Sequence, residues 1–222
     1  MTAPTTTGPD LGEVTVTDEG RPSAARRFGP LAVVAAVVVG LLLGYAGGLL
    51  TPKLTRPGDT SAEAGFVRDM TTHHTQAVEM GLLAFKGGSD PEVVSMGGDI
   101  AAGQQGEIGV MQTWLRSWGL DPTGSQPRMA WMPDGESMIR DGLMPGMATP
   151  EEMAKLRTAQ GREKDLLFLD LMIDHHNGGI HMIDGILDVS DEAEVVRVAQ
   201  TMKNVQQKDL ENLVAARDRL KG

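Results

Sequence analysis

The side chains best suited to holding a metal ion fall in two stretches of matching pattern, 102 residues apart. The first reads Phe66-Val-Arg-Asp-Met70-Thr-Thr-His73-His74-Thr-Gln-Ala77-Val-Glu-Met80. The second reads Phe168-Leu-Asp-Leu-Met172-Ile-Asp-His175-His176-Asn-Gly-Gly179-Ile-His-Met182. Phe, Met, a His pair, a small residue and a second Met recur at the same offsets, and four of the five histidines are used here. Imidazole nitrogen and thioether sulfur are both metal ligands, and together they suit soft ions.

On an α-helix, at roughly 100° per residue, Phe66, Met70, His73, His74, Ala77 and Met80 share an arc of about 120°. Phe168, Met172, His175, His176, Gly179 and Met182 share the equivalent arc. Such a stripe is the one a bundle helix turns inward. His181 lies off it. A single inward histidine is more often a hydrogen-bonded core residue than a ligand, but two adjacent pairs flanked by Met, present twice, favour metal binding. Because the rings of each pair are neighbours in sequence, both cannot face one centre equally. One is expected to ligate while the other supports it by hydrogen bonding. Ala77 and Gly179, at mid-arc, leave room beside the imidazoles.

Between the two stretches lies a connection containing Met129, Trp131, Met132, Met138, Met144 and Met147. This segment either covers the open end of a bundle or adds soft ligands, with Trp131 placed to shield or stack on a soft cation. Thioether donors narrow the metal to copper, Cu(I) in particular, with zinc the second choice on imidazole alone. The Glu-x-x-His motifs of di-iron bundles are missing from these faces. The chain has no cysteine, which removes disulfides and thiolate sites, whereas its 14 methionines also serve as flexible core filler.

The elements that would position these groups can be read along the chain. Residues 1–27 are rich in Thr, Pro, Gly and charge and are expected to form a disordered cytoplasmic leader. Residues 28–52 contain no charge, and the 20 residues from Leu31 to Leu50 are long enough to span a bilayer. Arg21, Arg26 and Arg27 before this run, against Lys53 and Arg56 after it, favour a single-pass anchor with the remainder outside the cytoplasm. A cleaved signal ending near Gly44-Tyr45-Ala46, leaving a secreted domain, is the competing reading. Residues 53–60 read as a linker.

Beyond it, Thr60-Ser-Ala-Glu63 has the form of a capping box opening a helix to about Lys86, stopped by Gly87-Gly88. Ser89-Asp90-Pro91-Glu92 opens a second helix, ending at Gly119. A second capping box at Thr149-Pro150-Glu151-Glu152 starts a long helix to about Leu187, bent near Gly161. Ser190-Asp191-Glu192 caps the last. The motif Gln104-Gln105-Gly-Glu107-Ile108 returns as Gln206-Gln207-Lys-Asp209-Leu210, again 102 residues on. Residues 61–118 and 149–221 are therefore expected to be two copies of one helical hairpin. Neither buries its apolar face alone, and pairing them predicts an all-α, ferritin-like four-helix bundle within 61–222. Gly97, Gly98, Gly103, Gly106 and Gly109 sit awkwardly in the second helix. The smooth surface they create would suit a close partner, a second copy of the chain or another envelope protein.

The net charge of −10 excludes nucleic-acid binding through a basic surface and suits cationic partners. The excess is confined to residues 57–222, which hold 26 acids against 15 bases.

The pattern Phe66…Met70-x-x-His73-His74-x-x-Ala77-x-x-Met80, the central Gly142-Leu-Met144-Pro-Gly-Met147…Glu152-Met153 and Met172-x-x-His175-His176 resembles the bacterial family called domain of unknown function 305, over about 60–220. That resemblance implies a ferritin-like fold, export or membrane anchoring and, for some members, copper binding and resistance through Met and His. It carries over to Met70, His73, His74, Met80, Met144, Met147, Met172, His175, His176 and Met182. Three functions follow as expectations. The first is a membrane-anchored extracytoplasmic copper-binding or sequestering protein. The second is a redox metalloenzyme in the same bundle, which the scarcity of inward carboxylates disfavours. The third is a metal-free envelope scaffold.

Overall fold

The structure is a computed structural model that describes residue 2, residues 29–54 and residues 56–222. The leader expected at 1–27 lies outside these except for residue 2, as do residue 28 of the apolar run and residue 55 of the linker. Two compact units are formed, Met1–Thr51 and Pro52–Gly222.

The apolar run forms α1, Pro30–Leu54, whose residues up to Thr51 belong to the first unit. Its segment Pro30–Gly48 is 19 residues long, apolar enough to cross a membrane, and none of it is buried against protein. An exported protein's signal sequence meets the same description.

The second unit is helical: α2 (Ala62–Gly87), α3 (Pro91–Trp118), α4 (Pro150–Thr158), α5 (Gly161–Val189) and α6 (Ala193–Lys221). Among the described residues the extended pairing is limited to an isolated bridge between Arg140 and Leu143. Local chemistry sets the helix ends. The Ser61 hydroxyl, not that of Thr60, caps α2 by accepting the Ala64 N–H at 3.2 Å, and Glu63 instead accepts from the Ser190 hydroxyl at 2.6 Å. Thus the expected capping box is replaced by a tertiary tie between the start of α2 and the end of α5. Asp90 caps α3 through the Glu92 and Val93 N–H groups, with Pro91 in the first turn, where no N–H is needed. Gly119, at φ 76°, closes α3 in the left-handed region. The Thr149–Glu152 capping box forms as expected. The helix it starts is not merely bent near Gly161. It stops at Thr158, and α5 begins afresh at Gly161, whose φ is 57°. Ser190 does not cap α6 directly. Its hydroxyl accepts the N–H of Glu192, the residue preceding the helix.

Helix α2 packs along α3 and α5 along α6, and the two hairpins join chiefly through α2 and α5. These run antiparallel. The end of α2 meets the start of α5, where buried Asp165 accepts from the N–H and hydroxyl of Ser89 and the N–H of Asp90. Two of the α3 glycines are explained by close approach. A side chain at Gly97 would sit 2.9 Å from the Ala84 Cβ and 2.7 Å from the Gly81 carbonyl, so the α2 and α3 backbones touch here. Gly98 similarly admits the Phe85 ring. Gly103, Gly106 and Gly109 face open space.

Candidate metal centre

Where α2 crosses α5, the four motif histidines form a polar layer within the buried core. His73, His74, His175 and His176 are all at most 1 % exposed. The His73 and His175 rings lie against each other, centroids 3.8 Å apart and planes 33° from parallel. His74 and His176 flank them at 6.5 and 6.4 Å from their sequence neighbours. Within each pair the two rings differ in their acceptor, a carboxylate for one and a backbone carbonyl for the other. His74 Nε2 donates to Glu107 on α3 at 2.7 Å, and His176 Nε2 donates to Asp209 on α6 at 3.5 Å. His73 Nε2 donates to the Pro145 carbonyl at 3.0 Å, and His175 Nε2 donates to the His73 carbonyl at 3.0 Å.

Since a carbonyl oxygen accepts only, the Nε2 of His73 and of His175 must carry the proton. Burial, and after it the neighbouring His74, push the His73 pKa down to about 3, against the opposing pull of the Pro145 carbonyl. Burial, and after it His73, hold His175 well below the ordinary imidazole range. Both rings are therefore neutral at pH 7, with a bare lone pair on Nδ1. The Nδ1 atoms of all four histidines are buried and have no partner among the protein's groups, as do Gln104 Oε1 and both amide atoms of Gln206. Orphaned polar atoms at this density are costly in a core unless a ligand, ion or water meets them. A histidine anchored through one nitrogen to a carboxylate or carbonyl and open at the other is the usual geometry of a metal ligand. Among the described residues no three His, Asp or Glu side chains converge as a ready-made cage.

The sulfur donors flank the layer on both sides. Because α2 and α5 are antiparallel, Met70 shares one core cluster with Met182, while Met80 and Met172 share the other. All four are fully buried. Met144 belongs to the Met70–Met182 cluster and Met147 packs at its edge. The ten residues singled out in the sequence therefore do not surround one point. They form a nitrogen layer between two thioether clusters, with the crossover enriching one of them.

The crossover is held down by contacts the sequence reading missed. Asp69 on α2, nearly buried, accepts from the Met129 N–H at 2.7 Å and from Trp131 Nε1 at 2.9 Å. The first bond supports Met129 in the left-handed region at φ 63°. Burial raises the Asp69 pKa against these two hydrogen bonds. Trp131 packs edge-on against Phe66 at 5.5 Å, so it is a core and anchoring residue. Further along, Pro145 and Gly146 lie directly on α5 at Gly178, where any side chain would collide with the Pro145 carbonyl. Glu107, Asp209 and the two glutamines were visible as the recurring Gln-Gln-x-acid motif. Their inward orientation was not, and it corrects the expectation that carboxylates are scarce around the histidines.

Residues 63–217 match the family model described as domain of unknown function (DUF305). The chain belongs to this family. A DUF305 protein from Streptomyces coelicolor, named as a secreted protein, is 36 % identical, with TM-score 0.68 over 74 % of this chain and 97 % of its own. A DUF305 fragment from Deinococcus radiodurans is 29 % identical, with TM-score 0.61 over 73 % and 99 %. CopM in its Cu(I)-bound form is 22 % identical, with TM-score 0.55 over 75 % and 100 %, and establishes likeness of fold alone. CopM is also known in Cu(II)-bound, Ag-bound and apo forms. No curated protein matches the sequence.

Proposed function

We propose that this DUF305 protein binds copper, as Cu(I), in the cell envelope and buffers or sequesters it there. Residues 28–52 serve as a single-pass anchor, and residues 61–222 form an extracytoplasmic, ferritin-like domain of two repeated hairpins. One observation carries the reading: four buried imidazoles spend Nε2 on protein acceptors and leave Nδ1 unpartnered, between two clusters of buried thioethers. Nδ1 of His73 and of His175 would ligate, and His74 and His176, oriented by Glu107 and Asp209, would support them from either side. Met70 and Met172 stand one helical turn before the His pairs, and Met80 and Met182 about two turns after them. Met144 and Met147 reach in from the crossover. Imidazole with thioether is a donor set for Cu(I) rather than zinc. The acidic surface attracts the cation, and methionine keeps soft ligands available where cysteines would oxidise to disulfides. The copper-bound forms of CopM agree with this assignment.

The test is an anaerobic Cu(I) titration of the full chain in detergent, against a chromogenic chelator. The His73→Leu/His175→Leu double variant is expected to lose at least tenfold in affinity, about 1.4 kcal/mol. Excess Zn(II) should not displace Cu(I) from the unaltered protein. Equal Cu(I) affinity in the double variant refutes the assignment.

A further inference from the structure

The fifth histidine takes no part in the buried layer, yet it is also paired with sulfur. His181 is exposed on α5, and its Nε2 lies 3.1 Å from the Sδ of Met138. A thioether is a poor hydrogen-bond acceptor, and an exposed imidazole has water as a better partner. The contact instead brings together two donor atoms of the kind that soft cations take. Its surroundings are built. Gly178 and Gly185, about one turn either side of His181, let the crossover rest directly on α5, at Pro145 and at Met132 respectively. The crossover is thereby held against the helix on both sides of the imidazole. Met138 ends a short 3-10 turn, Gly135–Met138, and packs at the edge of the Met70–Met182 cluster. His181 also lines a surface hollow of about 520 Å³ with Met147, Glu152, Asp174 and Asn177. That hollow thus adds a second thioether and two carboxylates to the neighbourhood.

We propose that His181 and Met138 form a second, solvent-facing site for a soft monovalent cation, separate from the histidine layer. One nitrogen and one sulfur supply the coordination, and Glu152 and Asp174 supply negative potential at the mouth of the hollow beside it. The site stands or falls independently of the buried layer, because neither donor belongs to the His pairs or to the methionines assigned to that layer.

Silver(I), a redox-inert probe of Cu(I)-type ligation, tests it in the full chain in detergent, with methionine methyl groups labelled with carbon-13. The Met138 methyl resonance is expected to shift on titration, and to shift equally in the His73→Leu/His175→Leu variant. His181→Ala and Met138→Leu should each lower the bound silver by one equivalent while leaving the melting curve of the metal-free protein unchanged. A Met138 resonance that ignores silver, or full stoichiometry in His181→Ala, overturns the site. Loss of the Met138 shift in the histidine-layer variant overturns its independence. A failed buried centre would show differently, as unaltered Cu(I) affinity in that same variant.

Discussion

Replacing Gly178 by alanine puts one methyl group where the crossover lies on α5. The new Cβ would overlap the Pro145 carbonyl and stand 2.7 Å from the Gly146 nitrogen. Those are backbone atoms and cannot rotate aside, so the crossover must lift. Forcing a methylene into packed structure costs about 1–3 kcal/mol. Lifting Pro145 also removes the acceptor of His73 Nε2, and a buried donor left unmade costs about 1–3 kcal/mol more. Alanine's better helix propensity offsets up to about 1 kcal/mol. The net loss is about 3 kcal/mol, a fall in Tm of roughly 6–12 °C for a domain of this size. Thermal unfolding of the full chain followed by circular dichroism measures it. Gly106→Ala is the control: it faces open space on α3 and should stabilise by up to about 1 kcal/mol. A Gly178→Ala protein as stable as the unaltered chain would refute the argument that backbone contact at this glycine holds the His73 acceptor in place.

The His73 titration makes metal-free protein acid-labile. Its folded pKa of about 3 is below the ordinary 6.5, so the unfolded chain binds more protons between those values. Stability is fully present above pH 6.5 and is lost as pH falls toward 3, by up to about 1.4 kcal/mol per pH unit for each such group. His175 shifts in the same direction. Denaturant titrations of chelator-stripped protein from pH 7 to pH 4 should show this slope, and His73→Leu should flatten it; an unchanged slope counts against the assignment. Separately, Asp69→Ala strands the Met129 N–H and Trp131 Nε1 and should cost about 2–4 kcal/mol. It should also speed proteolysis within residues 120–148. Resistance equal to that of the unaltered chain would mean that Asp69 does not hold the crossover.

Signals of short range were legible in the amino-acid order. The recurrence of Met-x-x-His-His on a 3.6-residue period put both histidine pairs on inward stripes. Asp90-Pro91 and Thr149…Glu152 marked helix starts because caps act over three or four residues. The charge-free run at 28–52 marked a membrane-length helix for the same reason. The Thr60 box misled because Glu63 found a distant partner, Ser190, that no local pattern contains. The anchoring of Trp131 was hidden in the same way: its N–H goes to Asp69, 62 residues away.

What tertiary structure alone decided is which nitrogen of each imidazole is free. That depends on acceptors brought in from elsewhere: Glu107 and Asp209, each 33 residues beyond its histidine, and Pro145, 72 residues beyond His73. The partition of the sulfurs was equally hidden. Antiparallel packing of α2 on α5 sets Met70 beside Met182 rather than Met172, so the like-placed residues of the two motifs end on opposite sides of the histidines. Residue type and period determine which side chains turn inward; the direction in which two helices cross determines which of them meet.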